Sequence, residues 1–161
     1  MIALFEHSPW IEARADALPS CGDRHADLMA VVHAATAEEQ LALICAHPEL
    51  AGKAAIDQTL TEASAAEQAS AGLDRLSEAE FARFHALNAA YRQRFGFPFI
   101  ICVRLTDKVG ILSAMEARLA NDRETEIAAA IAQIGEIVRL RLKDLGLKDL
   151  GLKNLGLGSA R

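Results

Sequence analysis

Apolar positions in this chain recur every three or four residues rather than every second one, and each recurrence is bounded by residues that start or stop a helix. Phe81, Phe84, Leu87 and Tyr91 follow a Ser77/Glu80 capping box, which predicts a helix running to about Arg94. Thr36 with Glu39 predicts a second box and a helix from Thr36 to Ala46; Pro48 then forces His47 out of the helical region. Ser8 before Pro9 reads as an N-cap and first helical position of a segment reaching about Ala17. Further helices are expected from near Asp23, from about Thr61 to Leu73, from a Thr106 cap to about Ala120, and from an Asp122 cap, where Ile127, Ile131, Ile134 and Val138 form one stripe.

Two stretches break this period. Residues 95–104, Phe-Gly-Phe-Pro-Phe-Ile-Ile-Cys-Val-Arg, are apolar but contain Gly96 and Pro98, which suits an extended buried segment. From Leu142 the unit Leu-Lys-Asp-Leu-Gly repeats, ending as Leu-Lys-Asn-Leu-Gly. A period of five advances about 140° per repeat on a helix and builds no stripe, and each glycine costs about 1 kcal/mol. Helical order should therefore fade after about Leu145, leaving residues 146–161 as a frayed tail. The expected architecture is all-α: a single-domain bundle of about seven helices over residues 1–145, crossed by one extended segment.

Composition narrows the class. Thirty-two of the 161 residues are alanine, which favours helix and excludes an all-β fold. The length suits one domain, and 52% hydrophobic against 24% charged residues excludes disordered and fibrous chains. A net charge of −5 without a basic block makes nucleic acid a poor partner. No run of 18 apolar residues suggests a membrane span, and Glu6 and His7 stand where a secretory signal would be basic and then apolar. A cytoplasmic location is expected. Cys21, Cys45 and Cys102 are odd in number and widely spaced, as expected of three free, buried thiols in a reducing compartment.

Five positions invite chemistry. His47 is fixed at a helix end and its imidazole titrates near neutrality, which suits proton transfer; position alone also fits a structural histidine. Ser64, Glu67 and Gln68 stand at i, i+3 and i+4 on one helical face, a row that can grip a polar ligand or merely face solvent. Arg141 lies about 20° from Ile134 on a helical wheel, inside the apolar stripe, whereas Arg139 points away. A cation there needs an anion, from an internal ion pair or from a ligand. No metal-ligand spacing, dinucleotide or phosphate loop, or serine-hydrolase elbow occurs, so no metal and no standard cofactor is expected.

Phe5-Glu-His-Ser-Pro-Trp10, Ala46-His-Pro-Glu-Leu-Ala-Gly-Lys53, Ser64-Ala-Ala-Glu-Gln68 with Ala71-Gly-Leu73, and Leu87-Asn-Ala-Ala-Tyr-Arg-Gln-Arg-Phe-Gly-Phe-Pro-Phe-Ile100 together resemble the 2-oxo-4-hydroxy-4-carboxy-5-ureidoimidazoline (OHCU) decarboxylases of urate degradation. The resemblance continues through Arg118-Leu-Ala-Asn121, Glu126 and Leu140-Arg-Leu142, leaving only the repetitive tail outside. It implies a cofactor-free, all-helical enzyme, often a dimer, converting the ureidoimidazoline acid to S-allantoin and carbon dioxide. It also implies His47, Glu67 and Arg141 as catalytic residues, with Pro48, Ser64, Gln68, Phe99 and Ile100 on the substrate. His47 would move a proton, Glu67 and Gln68 would hold the ureido group, Ser64 would add a hydrogen bond and could also orient Glu67, and Arg141 would anchor an oxyanion. The competing readings are a non-catalytic helical binding or scaffold module of the same pathway, and hydrolysis of a related ureide.

Overall fold

The computed structural model describes residues 4–51 and 60–154, with side chains as far as Gly146. Two complete capping boxes form as the sequence predicts: Thr36 opens α3 (Ala37–Cys45) and Ser77 opens α5 (Glu78–Phe95). Asp23 caps α2 (Arg24–Ala34), Thr61 caps α4 (Glu62–Ser70), and Asp122 accepts the Thr125 amide at 2.8 Å where α7 (Arg123–Asn154) begins. The remaining elements are α1 (Trp10–Asp16), a 3-10 turn (Val103–Leu105) and α6 (Lys108–Arg118). Among the described residues the regular secondary structure is all helical, and no single helix there is long and apolar enough to cross a membrane.

α7 is the spine. It packs on α2 and α3, while α1 lies on α2, α5 on α6, and α4 on the 3-10 turn. Leu28 and Val32, Leu43 and Ile44, and Ile134 and Val138 are fully buried between the first three of these helices, each contributing about 1.5–3 kcal/mol. The Ile127 stripe runs along this face and carries Arg141 into the core; Arg139 pairs with Glu136 at the surface.

Gly96, at φ 83°, ends α5 in the left-handed region and releases the extended segment. With no strand beside it, that segment takes its backbone partners from side chains. Arg123 Nε donates to the Phe95 carbonyl at 3.1 Å, Arg118 to the Ile100 carbonyl at 2.8 Å, and the Cys102 amide donates to Gln133 Oε1 at 2.9 Å. Arg118 is itself held by the buried Glu126 at 2.8 Å, which also accepts from Tyr91 Oη at 2.5 Å and Asn121 at 2.8 Å. Its guanidinium sits 4.3 Å from the Phe99 ring centroid. Residues 99–102 are therefore tied to α6 and α7 from outside.

Several local expectations shift. Ser8 does not cap α1 through its side chain: its hydroxyl donates to the Glu6 carbonyl at 2.9 Å, steadying a loop in which His7 adopts φ 47°. Asp107 rather than Thr106 caps α6, because its carboxylate accepts the Gly110 amide at 2.9 Å and its charge suits a helix N-terminus. Cys102 is buried, but Cys21 lies in an exposed loop and Cys45 on the outer face of α3; all three are free. α7 runs on to Asn154, past the expected fading point at Leu145, since the leucines and lysines between the glycines are strong helix formers. Gly52 and Lys53 of the His47 motif, and tail residues 155–161, lie outside the described residues.

Candidate active site

Four separate pieces of chain meet at one pocket of about 440 Å³, counted out to its open mouth. The end of α3 supplies His47 and Pro48, α4 supplies Ser64, Glu67 and Gln68, the extended segment supplies Phe99 and Ile100, and α7 supplies Arg141. All eight sequence-selected residues thus line the same wall. Leu50, Ile101, Cys102, Val103, Arg104 and Ile137 complete it.

His47 is only 8% exposed. Its Nδ1 lies 3.0 Å from the Leu43 carbonyl; a carbonyl can only accept, so Nδ1 carries the proton and the Nε2 lone pair is left for other partners. Burial holds its pKa below the ordinary 6.5, an effect that the Leu43 bond and the Glu6 charge oppose and that Arg141 and His7 reinforce. The neutral imidazole is therefore a base with one nitrogen already spoken for.

Arg141, 2% exposed, sits in an internal ion cluster. Its Nε donates to Glu67 Oε2 at 2.9 Å and Nη2 to Glu67 Oε1 at 2.7 Å, the planar fork matching the carboxylate. Nη2 also donates to Glu6 Oε1 at 2.9 Å. Burial lowers the Arg141 pKa, yet Glu67 and Glu6 more than offset this and raise it. Ser64 does not orient Glu67 as expected: its hydroxyl donates to Glu6 Oε1 at 2.6 Å, because the Glu67 oxygens turn to Arg141. Gln68 Oε1 accepts the amide of Ala51, which holds a non-glycine φ of 53°, and its NH₂ stays available to donate.

Glu6 is the residue that sequence reasoning missed. It is 1% exposed, with Thr61 Oγ1 donating to it at 3.1 Å beside the bonds from Ser64 and Arg141. Burial pushes its pKa up, but Ser64 and Arg141 outweigh this and hold it below 4.5. It stands in a loop with no period to expose it; the one available signal was its place in the Phe5–Trp10 motif. Among the described residues, no three His, Cys, Asp or Glu side chains gather as metal ligands.

These shifts predict acid lability. A group whose folded pKa is depressed stabilises the fold above its unfolded value and loses that contribution as pH falls through the folded one. For His47 the loss begins near 6.5 and for Glu6 near 4.5. Thermal melting followed against pH should show Tm dropping below about pH 6.5, and His47→Gln should remove the upper part of that drop; an unchanged profile would refute the assignment to His47.

The sequence model of the OHCU decarboxylase family matches residues 1–143. The chain is 38% identical over 144 residues to the 2-oxo-4-hydroxy-4-carboxy-5-ureidoimidazoline decarboxylase of Haloferax volcanii, covering 88% of this chain and 83% of that protein. It is 42% identical over 146 residues to the uric acid degradation bifunctional protein PucL of Bacillus subtilis, covering 89% of this chain but spanning only 29% of that protein. A crystal structure of (S)-allantoin synthase superposes with a TM-score of 0.64 at 29% identity, over 88% of this chain and 46% of that one. One of OHCU decarboxylase in the presence of (S)-allantoin gives 0.67 at 19% identity, over 86% and 92%, a likeness of fold. With the family's sequence pattern running through nearly all of the described fold, and its motifs meeting at the pocket, the chain belongs to the OHCU decarboxylase family.

Proposed function

We propose that the protein decarboxylates 2-oxo-4-hydroxy-4-carboxy-5-ureidoimidazoline to S-allantoin and carbon dioxide in urate degradation, without a cofactor. The observation that carries this reading is the convergence of His47, Glu67 and Arg141 on one pocket in a chain of this family. The substrate brings its own electron sink. As the bond to the carboxylate breaks, its electron pair passes toward the adjacent ring C=N, the hydroxyl-bearing carbon becomes a carbonyl, and the ureido-bearing carbon takes a proton on one face. Starting from the carboxylate, one proton is consumed overall.

His47 takes the hydroxyl proton on Nε2 and returns it to carbon, a role that contributes about 10² to 10⁴-fold. Glu67, fixed by the Arg141 fork, accepts from the ureido N–H groups, and the Gln68 NH₂ donates to the ureido carbonyl. Arg141 supplies positive charge to the pocket wall for a developing oxyanion. Pro48, Phe99 and Ile100 give the ring an apolar bed. A cytoplasmic homodimer belongs to the same reading; three free thiols suit a reducing compartment, and light scattering reads the oligomeric state directly.

The test is to generate the substrate enzymatically from urate and follow allantoin formation by optical rotation. The protein should raise both the rate and the excess of the S form. A trace identical to the protein-free blank would overturn the reading and leave the non-catalytic binding module in its place.

A further inference from the structure

Glu67 alone satisfies two donors of Arg141, so the pair is neutral and well paired without help. Glu6 adds a second carboxylate, leaving the cluster of Glu6, Glu67 and Arg141 with one surplus negative charge beside a pocket proposed to bind an anion. Burying such a charge costs several kcal/mol unless donors surround it. Three surround this one, at 2.6 Å from Ser64, 2.9 Å from Arg141 and 3.1 Å from Thr61. Those donors make the buried charge tenable as a structural device, and a further use is open to it.

That use lies on the other side of His47. Glu6 and His47 together line a second cavity, with Thr61 and His7, distinct from the pocket that Glu67 and Gln68 line. Of the titratable and charged groups around His47, His7 comes from the N-terminal loop, Arg141 from α7, Glu67 from α4 and Arg104 from the 3-10 turn. Burial, Arg141 and His7 all disfavour an imidazolium, and Glu6 opposes them.

We propose that Glu6 is a positioning residue for the reaction: it fixes Arg141 and Ser64 and supplies the negative charge against which His47 exchanges its proton. The proposal rests on the decarboxylase reading, in which His47 must hold a proton for part of each turnover. Without Glu6 the imidazolium would be stranded in a buried site beside a cation, and the base would be too weak to take the hydroxyl proton.

Glu6→Gln keeps the size and one acceptor oxygen while deleting the charge. In the full chain its kcat should fall about tenfold or more, the equivalent of at least about 1.4 kcal/mol, with KM little changed. The limb of the kcat/KM profile that reports His47 should move to lower pH, and the His47 ring resonance in NMR should titrate lower as well. A variant with reduced Tm but parental limb and titration would make Glu6 merely structural and overturn the proposal. If Glu6→Gln does not fold, Glu6→Asp, which keeps the charge but shortens its reach, should lower kcat and move the limb less in the same direction; parental kcat and limb would also overturn it. Should the parent itself form no allantoin, the decarboxylase reading falls, and the NMR titration alone still decides whether Glu6 governs His47.

Discussion

Replacing His47 with alanine removes about 10² to 10⁴-fold of the turnover and leaves a folded protein. The side chain makes one internal hydrogen bond, to the Leu43 carbonyl in the last turn of α3, where a freed carbonyl can be met by water entering the pocket. The cap of α3 and its buried Leu43 and Ile44 do not depend on it. Under the proposed mechanism, what goes is the basic nitrogen that moves the proton between hydroxyl and carbon. The initial rate of S-allantoin formation, measured beside the thermal melting curve, separates chemistry from folding. Near-parental turnover in a folded His47→Ala protein would remove the imidazole from the mechanism.

Arg141→Met destabilises the fold itself, by about 3–5 kcal/mol. Methionine nearly matches the volume, so the cost is not a cavity. It arises because Glu6 and Glu67 are left without the cation they share, one of them 1% exposed. The deficit should shrink in acid, where the stranded Glu6 takes up a proton, and should shrink again when Glu6→Gln is combined with Arg141→Met, because the two sites are coupled through direct contact. Urea unfolding at two pH values reads all of this. A loss under about 1 kcal/mol, a size typical of an exposed pair, would mean that the cluster is not a structural element.

The parts of the fold legible in the sequence are those set by local chemistry. Thr36/Glu39 and Ser77/Glu80 form complete boxes because each needs only residues three apart. Arg141 was placed in the core by the helical period alone, since position on a wheel decides which side of a packed helix a residue faces. Its partners were not legible: Glu6 and Glu67 reach it from far along the chain, and no spacing rule links them. Ser64 illustrates the same limit, its hydroxyl turning from its helix neighbour Glu67 to distant Glu6. The cap at Asp107 was missed by one position because Thr106 and Asp107 can each cap, and the carboxylate has the advantage at a helix N-terminus.

α7 acts as a ruler. Glu126 near its start anchors the Arg118 that holds the extended segment, and Arg141 further along anchors Glu67 of α4, about 22 Å away at 1.5 Å per residue. Exposed side chains between these points can vary in kind, but an insertion or deletion of one residue would swing Arg141 by about 100° and leave it facing the wrong neighbours. Over this stretch, length is therefore under tighter constraint than composition, and indels should be confined to the glycine-punctuated repeats beyond it.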